Sequence, residues 1–349
     1  MYQNHITVRA DTFGHEWHVP VMTFAGNDPD APRVYMQAGL HADELPGVAV
    51  LHFLCGLLRT AEADGQIAGD ITIVPQANPV GSAQFMFLRH EGRFDIASRT
   101  NFNRDFPRIR LDERLTLIED LERFGATDQL KRHLLHQALG HDIVLDLHCD
   151  AESLAYAYFC EPFWPGASDL AAALELEAVF LADGTSSAFE EAVAAAWMDG
   201  KGKIAPGRLA STIELRGQRD VSEQTAMADA KGLMRFLCAR GVIHADLPAP
   251  GQWRGPAIPL DNIEIIKTPE SGTILFHHDI GETVAEGDLL ATIITAPGTD
   301  KGICEIRCPQ NGLIATRANT RFARRHMDLM KILCDGPARQ MRKPGALED

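Results

Sequence analysis

Two residues in the segment GLHADELPG, His41 and Glu44, have the types and spacing of metal ligands. At a turn that leads into a helix, side chains three residues apart can point to the same side. An imidazole nitrogen and a carboxylate oxygen each bind Zn²⁺ at about 2.0–2.2 Å. Because the His-x-x-Glu spacing is also common in solvated loops, the pair is a hypothesis that needs a third ligand from elsewhere in the chain.

His148 and Glu214 are candidates to complete such a site, because each lies at or near the end of a predicted buried strand. His148 follows the apolar strand at 143–147, and Glu214 lies in a short strand at 211–215. In open α/β sheets, functional residues gather outside the carboxyl ends of the strands. Two histidines and one glutamate form a catalytic zinc set that leaves a fourth position for water. Glu214 is then the carboxylate that moves a proton from water to a leaving amine. Ordinary hydrogen-bonded and salt-bridged roles are the alternatives.

The segment RFDIASRTNFNRDFP offers cationic and amide groups that a hydrolytic site needs. Arg93, Arg99 and Arg104 carry planar guanidinium groups suited to a substrate carboxylate or a developing oxyanion. The amide of Asn103 can donate a hydrogen bond to a carboxylate. Residues 81–110 contain few periodic apolar positions, and a long irregular segment inside a compact domain is usually functional. A mixed-charge surface loop is the competing interpretation.

The elements around these residues alternate between strands and helices. A strand in PRVYMQAGLH, a helix from Pro46 to near Asp64 and a strand in DITIVPQANP follow one another, and a parallel βαβ unit is the simplest arrangement of that order. The alternation predicts an α/β domain over residues 1–246. Further strands are predicted in ITVRA, HEWHVPVMTFAG, DIVLDLHCD, YAYFCEP and ASTIELRG, and further helices in RLTLIEDLERF, ATDQLKRHLLHQALGH, ASDLAAALELEAVFLADG, AFEEAVAAAWMDGKG and SEQTAMADAKGLMRFLCARG.

A change in composition follows at residues 247–259, a stretch rich in Pro and Gly that predicts a linker. Beyond it, turn signals and short strand patterns predict a small all-β, barrel-sandwich-like domain at 260–335 and a loose tail at 336–349. The two halves of this domain resemble a lipoyl or biotinyl barrel, but Lys301 lacks the flanking residues of a carrier lysine. We expect the domain to cap the catalytic domain, shape the pocket entrance or join subunits.

The overall composition excludes several function classes. The 349 residues include 33 Lys and Arg against 48 Asp and Glu, and the formal charge of −15 argues against nucleic-acid and anionic-membrane partners. No apolar run approaches the roughly 20 residues that span a bilayer. The N-terminus lacks the apolar core of a signal peptide, and seven irregularly spaced cysteines suit reduced thiols. We therefore expect a cytoplasmic protein with a small-molecule substrate, and a homodimer is a fair prior.

The motifs GLHADELPG, NFNRDFP, DLHCD and IELRG, in that order, resemble those of the succinylglutamate desuccinylase and aspartoacylase family, part of the zinc carboxypeptidase superfamily. The resemblance covers most of residues 34–245. It implies a three-layer α/β/α domain around a mixed sheet, followed by a small β domain. It also implies one Zn²⁺ per chain, held by His41, Glu44 and His148.

The resemblance further implies roles for the other polar residues. Glu214 matches the family's general base, and Asn103 and Arg104 match the pair that binds the free carboxylate of the substrate. Arg93 best matches an arginine that polarises the scissile carbonyl. Arg99 is the second candidate for that role, because the intervening loop is longer in this chain.

The chain also departs from the family pattern. Asp146, two residues before His148, is expected to orient that ligand. Family members often carry Asp two residues before the Asn-Arg pair, where this chain has Asn101, which can accept a hydrogen bond but lacks the charge. Aspartoacylase uses a tyrosine from its C-terminal domain, and this chain has no tyrosine after Tyr158, although His326 is a candidate for the same place. Specificity for acylaspartate is therefore not carried over.

Together these observations predict a zinc-dependent amidohydrolase that cleaves an amide bond in a small substrate with a free carboxylate, such as an N-acyl amino acid. A carboxypeptidase- or isopeptidase-like enzyme that trims a peptide or a modified protein is the alternative, because it would use the same metal site. A non-catalytic binding protein on the same fold is a third hypothesis. The acyl group, the amine and the identity of the divalent ion stay open.

Overall fold

A nine-stranded mixed sheet forms the centre of the larger part of the molecule. The computed structural model describes residues 1–339, and residues 340–349, most of the predicted tail, lie outside the described part. In chain order, the strands of this part are β1 (Tyr2–Arg9), β2 (Glu16–Phe24), β3 (Val34–Ala38), β4 (Ile71–Val74), β5 (Phe85–Met86), β6 (Arg89–His90), β7 (Ile143–Asp150), β8 (Glu152–Ser153), β9 (Ala155–Cys160), β10 (Ala178–Ala182), β11 (Leu209–Gly217) and β12 (Ala257–Pro259).

Within residues 1–339, six α-helices accompany this sheet; α6 packs against both α1 and α4, and α3 packs against α5. They are α1 (Pro46–Ala63), α2 (Pro79–Ser82), α3 (Ala126–Ala138), α4 (Ser168–Ala173), α5 (Phe189–Trp197) and α6 (Glu223–Ala239). The strand order of the sheet is β1-β2-β4-β3-β7-β11-β9-β10-β12. The predicted three-layer α/β/α fold with a mixed sheet is therefore confirmed.

The central strands of the sheet run parallel and are buried on both faces. Strand β3 pairs in parallel with β4 on one side and with β7 on the other, and β7 pairs in parallel with β11. All five residues of β3 are buried, as expected for a strand covered by helices on both faces. The predicted parallel βαβ unit of β3, α1 and β4 is confirmed, and α1 begins at Pro46 as predicted.

Two of the predicted helices are wrong in part. In ASDLAAALELEAVFLADG, the helix α4 ends at Ala173, and the following AVFLA segment forms β10, parallel to β9. Its residues are almost all buried, and a short buried apolar run has no periodicity that separates a strand from a helix. In RLTLIEDLERF, two 3₁₀ segments, Leu111–Ile118 and Leu121–Arg123, replace the α-helix, with Asp120 at φ +50° between them.

The smaller, all-β part consists of two antiparallel sheets. Their strands are β13 (Ile263–Lys267), β14 (Gly272–Phe276), β15 (Thr283–Val284), β16 (Leu289–Ile294), β17 (Ile303–Arg307), β18 (Gly312–Arg317), β19 (Phe322–Ala323) and β20 (Asp328–Cys334). One sheet has the order β13-β20-β18-β15 and the other β17-β16-β14-β19. The predicted all-β fold of this region is confirmed. The exact domain boundaries stay predictions, and β12, inside the predicted linker, pairs with β10 of the large sheet.

Direct bonds join the two parts near the carboxyl end of β7. Strand β8 pairs with β18, and the Glu152 carboxylate accepts a hydrogen bond from Arg317 Nε at 2.6 Å. Lys331, which is 4% exposed, reaches Asp150 Oδ2 at 2.8 Å. The all-β part therefore borders the space at the carboxyl end of β7. Within residues 1–339, no helix is both long and apolar enough to cross a membrane.

The start of α1 lies unusually close to β7. A Cβ atom at Gly47 would lie 2.7 Å from Leu147 Cβ and 2.8 Å from the backbone oxygen of Leu147, so only glycine fits there. Glu44, three residues earlier, accepts a hydrogen bond from the backbone amide of Cys149 at 3.1 Å. The approach of helix and strand thus fixes the loop that carries His41 and Glu44.

A pair of substitutions in α1 tests this close approach. Gly47→Ala is expected to destabilise the protein by about 1–3 kcal/mol, because the new methyl group overlaps β7 backbone. Gly56→Ala, in the same helix but with nothing nearer than the Arg59 side chain at 3.9 Å, is expected to stabilise it by about 0.5–1 kcal/mol. Urea unfolding of both variants measures the difference, and two changes of the same sign would contradict the analysis.

Candidate functional site

Three buried side chains meet at the carboxyl ends of β3 and β7. His41 and Glu44 come from the loop between β3 and α1, and His148 comes from the end of β7. One donor atom of each lies within 4.8 Å of the others, and the three residues are only 2–3% exposed. The sequence therefore selected three residues that the fold brings together, although they are up to 107 positions apart.

The hydrogen bonds of the two imidazoles determine which ring nitrogens face Glu44. Asp146 Oδ2 lies 2.9 Å from His148 Nε2, and Asn101 Oδ1 lies 2.8 Å from His41 Nε2. The same Asn101 oxygen accepts the backbone amide of Asn103 at 2.8 Å, so it is an acceptor and His41 Nε2 must donate. Both Nε2 atoms therefore carry a proton, and Nδ1 is the nitrogen of each ring that can bind a cation.

Both Nδ1 atoms point at the carboxylate of Glu44. His41 Nδ1 lies 2.9 Å from Oε1 of Glu44, and His148 Nδ1 lies 2.8 Å from Oε2. Lone pairs of nitrogen and oxygen cannot approach to these distances unless a proton or a cation lies between them. Two imidazole nitrogens and one carboxylate, each fixed from behind, are the donor chemistry that Zn²⁺ prefers. The residues present therefore fit a divalent metal ion.

The pKa values of these three groups follow from burial and mutual attraction. Burial lowers the pKa of His41 and favours its neutral form. Burial acts in the same direction on His148, but Asp146 and Glu44 outweigh it and hold the pKa of His148 well above its usual value. Burial opposes ionisation of Glu44, yet the two histidines hold its pKa well below its usual range. The set thus carries an ionised carboxylate and a proton on His148 that a metal ion would displace.

Arg93 lies beside this set. Its Nη1 is 3.2 Å from Glu44 Oε1 and 3.3 Å from His41 Nδ1, and about a third of its side chain is exposed. A guanidinium in this position can donate to an oxygen atom that develops negative charge next to the His-Glu-His group.

The Asn103 and Arg104 pair occupies the adjacent wall. Asn103 Oδ1 accepts the backbone amide of Phe189, the first residue of α5, at 2.8 Å. Arg104 is half-buried, donates to the backbone oxygen of Asn103, and has no carboxylate partner within residues 1–339. Arg99 is exposed at φ +62° and lies outside the set of described residues that line the cavity.

Glu214 faces the same cavity from the next strand. In the parallel pairing of β11 with β7 it is directly opposite His148, so both side chains project from the same face of the sheet. Its neighbours Ile213 and Leu215 are buried in the core on the other face. The alternation along β11 therefore directs the carboxylate of Glu214 to the side where the His-Glu-His group lies.

These residues line one cavity of about 530 Å³. The all-β part supplies one wall of it, through residues of β18, β20 and the loop between them. Arg317, Asn319 and Lys331 are each tied to the larger part, by Glu152, Gln218 and Asp150 respectively. His326, the candidate substitute for the aspartoacylase tyrosine, also lines the cavity. The smaller part therefore shapes the pocket in this structure.

One lining residue that the sequence did not single out is Glu190, in the first turn of α5. It is only 6% exposed, and burial raises its pKa to about 7, with the adjacent Glu191 carboxylate adding to the shift. Two glutamates at a helix N-terminus normally indicate a solvated first turn that complements the helix dipole. The segment FEEAVAAAW has no feature that predicts burial of its first turn.

The fold and the site together define an α/β protein with a candidate metal centre. Its His-Glu-His group lies at the edge of the sheet and could hold a metal ion. The chain belongs to the succinylglutamate desuccinylase/aspartoacylase family, since the catalytic-domain model of that family matches residues 30–240. The resemblance inferred from the four motifs is confirmed.

The chain is similar to three proteins of known structure or activity. An N-alpha-acetyl-L-2,4-diaminobutyric acid deacetylase from Halomonas elongata is 25% identical over 296 residues, 82% of this chain and 78% of that protein. A structure from Shewanella frigidimarina, described as a succinylglutamate desuccinylase/aspartoacylase, is 25% identical with a TM-score of 0.83, covering 96% of this chain and 97% of that one. The product-bound ectoine utilization protein of Ruegeria pomeroyi shares the fold at 20% identity, with a TM-score of 0.71 and coverage of 95% and 94%. The family and the curated relative indicate a hydrolase that acts on amide bonds.

The hydrogen bond from His148 to Asp146 generates a prediction for metal binding. Asp146→Ala is expected to weaken Zn²⁺ binding by about 10–100-fold, because the imidazole of His148 loses the group that fixes its orientation. Asp142→Ala, just before β7, is the control, since the carboxylate of Asp142 accepts from Arg33 and lies outside the His-Glu-His group. Titration of Zn²⁺ against a chelator measures both affinities, and equal affinities would show that Asp146 does not support the ligand.

The raised pKa of Glu190 generates a prediction for stability. The carboxyl of an unfolded chain titrates near 4.5 and the folded one near 7, so ionisation costs the folded state as pH rises from 4.5 to 7. Glu190→Gln is therefore expected to gain stability relative to the parent protein between pH 5 and pH 8, up to about 3 kcal/mol. Urea unfolding across this range measures the gain. The exposed Glu122→Gln is the control, and a gain independent of pH would contradict the assignment.

Proposed function

We propose that the protein is a zinc-dependent amidohydrolase that removes the acyl group from a small N-acyl amino acid. The observation that carries this proposal is the convergence of His41, Glu44 and His148 beside Glu214 in one cavity. The family membership supports cleavage of an amide bond. The metal, the substrate and the roles of the individual residues are the content of the proposal.

Zn²⁺ would be held by Nδ1 of His41, Nδ1 of His148 and the carboxylate of Glu44. When bound, such an ion supplies Lewis acidity that polarises a carbonyl and makes water nucleophilic at neutral pH. Asp146 and Asn101 would hold the two imidazoles in the tautomer that leaves each Nδ1 unprotonated.

Each of the remaining residues has a separate role in the proposed reaction. Arg104 and Asn103 bind the free carboxylate of the substrate, which places the amide carbonyl next to the ligand set. Arg93 donates to the carbonyl oxygen as negative charge develops on it. Glu214 takes a proton from the attacking water and delivers it to the nitrogen of the leaving amine. The carbon–nitrogen bond breaks, a carboxylate and an amine leave, and Glu214 returns to its ionised form.

A small substrate fits the cavity better than a peptide does. The all-β part covers one side of a space of about 530 Å³, the size of pockets for single small molecules. The curated relative is named for the deacetylation of an acetylated amino acid, which supports an N-acyl amino acid here as well. A carboxypeptidase- or isopeptidase-like activity is the alternative with the same metal site. Cytoplasmic location and a homodimer stay predictions from the sequence.

Substitution of Glu214 tests the mechanism. Glu214→Gln is expected to lower kcat by about 10²–10⁴-fold, because the proton can no longer be moved from water to the amine. Bound zinc, measured by elemental analysis, is expected to stay at one ion per chain, since Glu214 is not in the ligand set. An unchanged rate in this variant would defeat the assignment, and His148→Ala is the matched variant in which zinc itself is lost.

Substrate class is tested with the purified, zinc-loaded protein. Acetyl, succinyl and longer acyl derivatives of amino acids are assayed beside dipeptides and isopeptides by measuring the released amine. We expect hydrolysis of N-acyl amino acids and little release from peptides. Faster release from peptides would favour the alternative, and no release from any substrate by a protein with one zinc per chain would favour a non-catalytic binding role.

A further inference from the structure

The carboxyl group of Glu190 is buried at the cavity wall without a counterion. The residue is 6% exposed and lines the cavity, its side chain interacts with that of Thr212, and within residues 1–339 no cationic side chain forms an ion pair with it. A buried carboxylate without a counterion is costly to the folded protein. The proposed mechanism gives this carboxyl no task, so its presence in the cavity needs a different explanation.

The position of Glu190 relates it to the amino-acid half of the substrate. The preceding residue, Phe189, donates its backbone amide to Asn103, so Glu190 is adjacent to the subsite proposed for the substrate carboxylate. Thr212, another lining residue, lies two positions before Glu214 on the same face of β11. A substrate anchored by Arg104 and Asn103 would therefore direct its side chain towards Glu190.

Three of the cations that line the cavity pair with other carboxylates, and the proposed function assigns Arg104 to the substrate carboxylate. Lys331 pairs with Asp150 at 2.8 Å, and Lys267 pairs with Asp328 at 2.8 Å. Arg317 binds Glu152 through Nε at 2.6 Å and also contacts Asp279.

The charged groups that shift the pKa of Glu190 are acidic. They are Glu191, whose carboxylate accepts the backbone amide of Ser187 at 3.0 Å, and Asp146. Both raise the pKa of Glu190, so neither compensates its negative charge. A cationic group on a bound ligand would compensate that charge.

We propose, on the basis of the function proposed above, that Glu190 binds a positively charged side chain of the substrate. The substrate class is then an N-acyl α-amino acid whose side chain ends in an ammonium group. Arg104 receives its carboxylate and Glu190 its ammonium, so the cavity complements a zwitterion. A neutral side chain would leave Glu190 buried without a counterion, which penalises the wrong substrate as well as favouring the right one.

Matched substrates test this specificity. Nα-acetyl-L-2,4-diaminobutyrate and Nα-acetyl-L-norvaline have side chains of the same size, as do Nα-acetyl-L-ornithine and Nα-acetyl-L-norleucine. The zinc-loaded protein is expected to prefer the charged member of at least one pair by about 10–100-fold in kcat/KM, the range of a charge-assisted hydrogen bond.

Glu190→Gln is expected to abolish the preference mainly through KM, because Glu190 does not touch the scissile bond. Glu122→Gln, which removes one exposed charge outside the cavity, is expected to keep the preference. Retention of the full preference by Glu190→Gln would overturn the inference.

A binding measurement gives a readout that does not depend on turnover. Calorimetry is expected to show that free L-2,4-diaminobutyrate or L-ornithine binds the protein at least tenfold more tightly than its neutral counterpart, L-norvaline or L-norleucine. Glu190→Gln is expected to remove this difference. Equal binding of charged and neutral amino acids by the unsubstituted protein would overturn the inference even if the variant did not fold.

The outcomes separate this inference from the proposed function. If neutral N-acyl amino acids are hydrolysed as fast as the charged ones, the role of Glu190 is wrong while the amidohydrolase proposal stands. If no N-acyl amino acid is hydrolysed, the proposed function is wrong, and the calorimetric comparison alone decides whether Glu190 binds an ammonium group.

Discussion

The Glu44 carboxylate held between two imidazoles is the interaction on which the rest of the site depends. Each of its oxygens faces one Nδ1, at 2.9 Å and 2.8 Å, and each imidazole is fixed from behind by an acceptor at its Nε2. A carboxylate that is 97% buried tolerates its charge only because these histidines, Arg93 and the amide of Cys149 surround it. The same arrangement keeps the lone pairs of both imidazoles directed at one point, which a flexible loop could not do.

Two kinds of contact position the groups around Glu44: close backbone packing in the large sheet, and side-chain bonds from the all-β part. The loop that carries Glu44 is held because α1 lies against β7 at Gly47, where no larger residue fits. Strand pairing separately places His148 opposite Glu214. The cavity wall from the all-β part is attached by side-chain bonds such as that of Lys331 to Asp150. Backbone pairing in the central sheet therefore positions the chemistry, and side chains from the smaller part complete the pocket.

The sequence was informative where local chemistry and periodicity decide the outcome. Residue types at strand ends identified the group of His41, Glu44 and His148, because parallel strands must deliver their carboxyl ends to one edge. It failed for AVFLA, which forms a strand only because β9 and β12 flank it, a tertiary effect with no local signal. It also missed Glu190, since its burial arises from residues far away in the chain, and its type and place in the helix suggest an exposed residue.

The presence of asparagine instead of aspartate at position 101 has an electrostatic consequence at the site. Glu44 and Asp146 contribute two negative charges near the donor atoms, and Arg93 contributes one positive charge. With a divalent cation present, these charges sum to one net positive charge (+2 − 2 + 1), whereas an aspartate at position 101 would bring the sum to zero. Asn101 holds His41 through the same hydrogen bond without adding charge. In the proposed mechanism, the amide would thus preserve the orientation of His41 and leave the centre better able to stabilise an oxygen that becomes negative.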